Sequence, residues 1–577
     1  MSDETFEIGL VGAGAISAGA YTAGVIDFLV QALDEWYRAK DAGESVPAHD
    51  VKLSVFSGAS AGAITAVLGA AYLASDQPPL PTPDAAAAND GRNKLWDCWV
   101  DRIDIEHLLG RRDLEAAEAP VASVLDSTVL GDIARVGLDV RVRAQRRRYV
   151  GDPFELVATV TNIRGVPYVI PLEGHPAGHT MSLHADYMHF ELSDSGQASA
   201  PDRYGLRWSD LEDPAKKAPL AQAALASGAF PVGLAPRALT HTMSGSPDLY
   251  SARKWRVPQP DSNPHQCFVA QSIEADWKLP RDYKYEFLCV DGGVMNNEPL
   301  ELARELLAGE AGYNPRGPDA ARRALVMIDP FPSESTFDLH AKPESPDLLN
   351  VLFKLFGALK NQARFKPEEL ALAAHPQIYS RFMIAPSRGG NKHTIACGSL
   401  GGFGGFLKHD FRAHDFFLGR RNTQKFLRDH FALLETNPLF KGWGQDTAMK
   451  DRFCVRRNGA PEREDGKLFL PIIPLVGAAA RECYDPEWPH YLFQDLDNLS
   501  RQLDARLDIV LERLVAQYFK DKNWFMRLGA QWFLGSKKSD LRDEALKRVE
   551  ADLQKMGLMA PRPPAPDAPA EPPVIGD

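Results

Sequence analysis

The chain is poor in every signal of a metal site or a disulfide scaffold. Its six cysteines, at 98, 267, 289, 397, 454 and 483, are scattered over 577 residues with no C-x-x-C pair. That pattern excludes a stapled secreted fold and suits free thiols in a reducing compartment. None of the 15 histidines has metal-site spacing, so they point to no metal centre. Basic charge is short as well: 65 Lys and Arg face 77 Asp and Glu, a formal net charge of -12. This balance argues against a dedicated nucleic-acid binder. The opening Met1-Ser2-Asp3-Glu4 leads straight into a strand pattern, with no basic n-region, no cleavage site and no evident 18-residue apolar run. From these absences a cytoplasmic protein is expected, with membrane contact at most peripheral.

What the chain does have is glycine placed between strand and helix patterns. Val51-Lys52-Leu53-Ser54-Val55-Phe56 reads as a strand by its β-branched and aromatic content, and Ala63 to Ala74 are helix formers without proline. Between them stands Gly58-Ala59-Ser60-Ala61-Gly62, of the form G-x-S-x-G. The flanking glycines permit a tight turn. Ser60 would point its hydroxyl out at a helix N-terminus, which favours developing negative charge. This is the context of a nucleophile elbow. The pentapeptide by itself also arises in ordinary Gly/Ala/Ser-rich turns.

Two further strand ends carry glycine. Phe287-Leu288-Cys289-Val290 reads as a buried strand that runs into Asp291-Gly292-Gly293, and Pro299 opens the helix beyond. Taken alone, Asp291 is a turn or cap residue. Beside an elbow serine it becomes a carboxylate able to act as general base without an intervening histidine. Near the N-terminus, the strand Phe6 to Val11 enters Gly12-Ala13-Gly14-Ala15-Ile16-Ser17-Ala18-Gly19-Ala20-Tyr21. Tyr21, Val25, Phe28, Leu29, Leu33 and Trp36 then share one helix face. Such a loop presents backbone N–H groups to a phosphate or a tetrahedral oxyanion. The dinucleotide fingerprint is not met, because Ser17 stands where its third glycine belongs.

In this order the three pieces resemble the patatin-like phospholipase family: a Gly-rich loop, then G-x-S-x-G, then D-G-G. Ala226-Ser227-Gly228-Ala229-Phe230-Pro231 and Val294-Met295-Asn296-Asn297-Glu298-Pro299 are similar to stretches around the family's aspartate motif. The resemblance covers about residues 5 to 335. It implies a Ser–Asp dyad in which Ser60 attacks a lipid ester and Asp291 takes its proton. It also implies oxyanion donors among Gly12, Gly14, Ala15 and Ala61, with Gly58, Gly62, Gly292 and Gly293 as the motif glycines. The implied partner is a phospholipid or lysophospholipid. The loop departs from the family's common G-G-G-x-K/R-G, since Ile16, Ser17 and Ala18 leave no basic residue there. That departure is similar to a bacterial subgroup.

The alternation of elements predicts an α/β fold: a doubly wound, mostly parallel sheet flanked by helices, with a long, mainly helical C-terminal extension. The expected division is a catalytic domain over 1–335, an elaboration over 336–560 that can add strands to the sheet, and a Pro-rich disordered tail over 561–577. Strand-like runs recur at Ala324 to Ile328, Phe382 to Ala385 and Leu468 to Leu475. Residues 173–217 and 240–285 are polar and read as irregular surface loops, near enough to the mouth to act as a lid. The arginines at 141, 143, 146, 147 and 148 suit internal ion pairs or anionic headgroups, and Trp524, Leu528 and Trp532 suit a core-packed or an interfacial helix. His49 reads as a surface residue. Two other readings share the elbow. One is an α/β-hydrolase with a Ser–His–Asp triad, for which His490 would be the test. The other is a lipid-binding or regulatory module with little hydrolysis of its own.

Overall fold

The computed structural model describes residues 4–560 except 117–118, 244–246, 259–267, 281, 310–311, most of 333–376, 392, 445 and 519–523. By internal packing the chain divides into two units, Met1–Glu487 and Trp488–Asp577. The first opens with strand β1 (Thr5–Gly12), helix α1 (Gly19–Asp41), strand β2 (Asp50–Gly58) and helix α2 (Ala61–Ala74). Strands β3 (Val150–Leu172), β4 (His175–Ser193) and β5 (Tyr204–Arg207) follow, then α3 (Pro214–Ser227), β6 (Arg237–Met243) and β7 (Tyr283–Asp291). Helix α4 (Leu300–Ala308), strands β8 (Arg323–Ile328) and β9 (Arg381–Ile384) and helix α5 (His409–Asp429) complete the frame of the site.

One sheet runs in the order β9-β8-β1-β2-β3-β4-β5, with β7 on β3 and β6 on β7. The five strands from β9 to β3 are parallel neighbours, as crossover connections through helices require. Both faces are covered. Val11, Val55, Leu325 and Met327 meet Leu300, Ala303 and Leu307 of α4 on one side. Val55 and Phe56 project to opposite faces, and on the second face Phe56 reaches Gly69 of α2. The expected doubly wound, mostly parallel sheet is therefore present.

The length of β3 positions the chemistry. β2 runs parallel to its first half, with Gly58 opposite Ala158. β7 runs antiparallel to the next residues, with Asp291 opposite Val160. β4 holds the other edge along both stretches. The C-terminal ends of β2 and β7 thus converge on one edge of β3, and the turns that leave them face each other.

Several expectations need correction. The 336–560 segment is not among them: its strand β9 lies beside β8, its helix α5 forms a buried ion pair with α1 through Arg420 and Asp27, and the first unit runs to Glu487. The polar segments from 173 to 217 and 240 to 285 are not wholly irregular: they contain β4, β5, the end of β6, the hairpin Lys254–Pro258/Phe268–Ser272 and the first residues of β7. Their composition hides a regular hairpin, in which β4 alternates inward Met188, Phe190 and Leu192 with polar neighbours. Helix α1 does contain an 18-residue stretch apolar enough to span a bilayer, and 94% of it is buried inside the protein. His49 is buried, covered by Trp36, Phe440 and Trp443. Four of the five arginines pair within the chain, the first of the two expected readings: Arg143 with Asp76, Arg146 with Asp152, Arg147 with Asp34 and Arg148 with Asp41.

The second unit contains helices α6 (Phe493–Tyr518) and α7 (Trp524–Lys555). Arg542 reaches Asp504 at 2.8 Å and Lys538 reaches Asp508 at 2.7 Å across this pair. The aromatic stripe at 524–533 lies on α7 with its side chains outside the described residues, as is the tail 561–577.

Candidate active site

Ser60 is the N-cap of α2, with φ 52 and ψ -124. This conformation is strained for a residue with a side chain, and strain of this kind is stored at turns that must aim a reactive group. The turn closes only because its glycines are bare: a Cβ on Gly62 would lie 2.1 Å from the carbonyl oxygen of Gly12. The Ser60 N–H donates to Ser227 Oγ at 2.8 Å. Its own hydroxyl donates to Asp291 Oδ2 at 2.6 Å, between side chains 231 positions apart in the chain.

Asp291 is held from several directions. Its Oδ1 accepts the Gly293 N–H at 2.7 Å. Its backbone N–H donates to Ala229 at 2.8 Å, and its carbonyl accepts from Thr161 Oγ1 at 2.8 Å. The carboxylate therefore has a fixed orientation, with one oxygen turned to the serine. A hydroxyl so placed can lose its proton directly to the carboxylate. Among the described residues no imidazole is hydrogen-bonded to Ser60 Oγ, and His490 belongs to the second unit. No group of three or more potential metal ligands occurs among the described residues. Cys289, two residues before Asp291, is a buried core thiol whose pKa burial pushes far up.

Comparison with known proteins bears on this geometry. Residues 10–304 match the patatin-like phospholipase domain. An uncharacterised protein of Sinorhizobium fredii, y4iI, is 35% identical over 579 residues, which cover 92% of this chain and 79% of that protein. The chain belongs to the patatin-like phospholipase family. That is a family of lipid hydrolases, and lipids are its substrates.

The Gly-rich loop of this patatin-like protein lies beside Ser60, and its N–H groups sort into used and unused. Gly14, expected as an oxyanion donor, gives its N–H to the carbonyl of Asn297 at 3.2 Å. Gly12, also expected, is the last residue of β1; its carbonyl accepts from Ala59 at 3.2 Å and its bare α-carbon makes room for Gly62. The Gly14 N–H is thus taken by Asn297, and Gly12 packs closely against the elbow. Ala15 and Ala61 keep N–H groups with no protein acceptor among the described residues, and so does Ile16, which sequence reasoning passed over. Ala15 has φ -143 and ψ 12, and Ile16 has φ 49. Ile16 is thus a β-branched residue in the left-handed region, where side chains are strained.

Other residues at the site carried weak sequence signals. Ser227 stood in a recognisable segment with no role attached, and it bonds the backbone at the nucleophile position. Thr161 is one polar residue in an alternating strand, and only the pairing of β3 with β7 brings it to Asp291. Asn297 lies against Gly14 and Gly293, and its side-chain N–H donates to Glu298 at 2.7 Å. It joins the first and third motifs.

Proposed function

We propose that this protein is a lipid acyl hydrolase, of phospholipase A or lysophospholipase type, working through a Ser60–Asp291 dyad. The observation that carries the reading is the direct 2.6 Å hydrogen bond from a strained elbow serine to an oriented carboxylate. Ser60 Oγ attacks the acyl carbonyl carbon as its proton passes to Asp291. The carbonyl oxygen becomes an oxyanion facing the N–H groups of Ala15, Ile16 and Ala61. Collapse breaks the ester C–O bond, and the proton on Asp291 leaves with the lysolipid or glycerophospho alcohol. Water then loses a proton to Asp291 as it attacks the acyl-enzyme, and fatty acid departs with Ser60 restored. Removal of one oxyanion donor from such a site costs about 10²–10³ in rate.

A cytoplasmic location, with lipid taken from a membrane surface, belongs to the same proposal. It rests on Cys98, Cys289, Cys397, Cys454 and Cys483 being free thiols. The direct test is labelling with a fluorophosphonate, followed by mass analysis of the modified peptide. Covalent adduct on Ser60, absent in Asp291→Asn, is the expected result. An unlabelled Ser60 in folded protein would favour the non-hydrolytic lipid-binding reading.

A further inference from the structure

The Gly-rich loop has no basic residue, and a distant part of the chain is packed against the place where one would stand. Ser17 is fully buried. Its hydroxyl donates to the carbonyl of Gly402 at 2.5 Å and accepts the N–H of Gly405 at 3.1 Å. Gly405 has no room for a side chain: a Cβ there would lie 2.5 Å from Ser17 Oγ and 2.4 Å from Cys397 Sγ. Gly402, at φ 102, sits over Ile16 and Phe331. One turn therefore seats on both residues that follow Ala15.

That turn is fixed by α5. The Asp415 carboxylate accepts the N–H groups of Ala396 and Cys397, each at 2.8 Å. Arg412 donates to Gly405 at 2.6 Å and, from two nitrogens, to Val100 at 3.0 and 2.8 Å. These buried, charge-assisted bonds are among the stronger ones available to a protein. Asp415 and Arg412, which supply the charge in each of them, lie beyond the 10–304 family match.

We propose that Ser17 is a positioning residue, and that the Gly402–Gly405 turn, clamped by Asp415 and Arg412, fixes the Ala15 and Ile16 N–H groups for the oxyanion. The proposal rests on the oxyanion reading of this loop given above. Its physical ground is the φ of 49 at Ile16. A β-branched residue held there is strained and persists only where its surroundings over-determine it. Released, the residue rotates toward an ordinary conformation and its N–H leaves the oxyanion. A displacement of about 1 Å in such a group costs on the order of 10²-fold in rate.

The test uses the full chain, a soluble p-nitrophenyl ester, and fluorophosphonate titration so that rates are expressed per reactive Ser60. Ser17→Ala removes both bonds and leaves Ser60 and Asp291 in place. Its kcat per titrated site is expected to fall about 10- to 100-fold, with KM within about twofold, since the lost interaction acts in the transition state. The acid limb of the pH profile stays where it is, because Asp291 is untouched. Gly405→Ala, which pushes a methyl group into Ser17, gives the same signature. Titration counts only folded sites, so poor folding of either variant does not imitate the result. Wild type that labels and turns over, with both variants within about twofold in kcat or altered in KM alone, overturns the proposal and leaves the dyad standing. Wild type that neither labels nor turns over overturns the reading of the site, and this proposal with it.

Discussion

The elbow around Ser60 and the loop from Gly12 to Gly19 meet at one site but are held there in different ways. The elbow is held by its own small residues, with Gly62 against Gly12, and by one side chain, Ser227. The loop is held by a turn near 400 and by α5, through Ser17, Asp415 and Arg412. A strained turn made of small residues needs little support beyond close packing. A strained loop with a β-branched residue at its centre needs an outer layer, and here that layer comes from a segment the family match does not include. Damage to the first should strike chemistry, and damage to the second should strike stability and geometry together.

The largest effect on stability is expected at the junction of α1 and α5. Arg420 and Asp27 form a fully buried ion pair, and Tyr72 Oη and Asn93 Nδ2 donate to the same carboxylate at 2.9 and 2.6 Å. Arg420→Ala leaves that carboxylate without its cation, at a cost of about 3–5 kcal/mol. Urea unfolding monitored by fluorescence measures this, and an unchanged midpoint would show that α5 does not brace the unit. Next comes Gly62→Ala, which joins the two regions by pressing a methyl group onto the Gly12 carbonyl. It is expected to cost about 1–3 kcal/mol and to lower kcat by about 10²-fold. Activity near normal would mean that the elbow tolerates more space than its packing indicates.

His49 gives the acid response. Its Nε2–H donates to Ile472 at 2.9 Å and its Nδ1 accepts from Trp443 at 3.1 Å, so the ring is held neutral. Burial pushes its pKa down to about 3, and that of buried His241 to about 4. Below pH about 6.5 the unfolded chain binds protons that the folded chain refuses. Stability is thus complete above that pH and falls on acidification toward pH about 3, by up to about 1.4 kcal/mol per pH unit for each group. Thermal midpoints between pH 4 and 7 should show the slope, and His49→Gln should reduce it. A flat profile would contradict the neutral burial of these rings. The smallest effect is expected at Ser227→Ala, which removes one neutral hydrogen bond to the Ser60 N–H. A loss of about 1 kcal/mol, or about fivefold in kcat, is expected from steady-state rates.

The chain displays these parts unevenly. Gly58 to Gly62 and Asp291 to Gly293 are contiguous, and each lies between strand and helix patterns, so both motifs were readable. That Ser60 and Asp291 are neighbours came from family resemblance alone. Its physical cause is the 23-residue length of β3, which no local pattern announces. Ser17 was noticed for the lysine it is not, while its partners lie 385 and 388 positions away. His49 reads as a surface residue because Ile472 and Trp443, which cover it, come from the far end of the unit. Gly12 and Gly14 read as donors from the family resemblance; the Gly14 N–H is spent on Asn297, a partner no local pattern shows, and the bare α-carbon of Gly12 lies against Gly62. The strand that follows Glu173 was missed because polar residues crowd both sides of a two-residue turn.

The central claim is tested most directly by fatty-acid release from a panel of phospholipid and lysophospholipid vesicles, comparing wild type with Ser60→Ala and Asp291→Asn. The account predicts release by wild type and a fall of at least about 10³-fold in both variants, with folding unchanged. Release that survives in Ser60→Ala, or that is unaffected by Asp291→Asn, would contradict it.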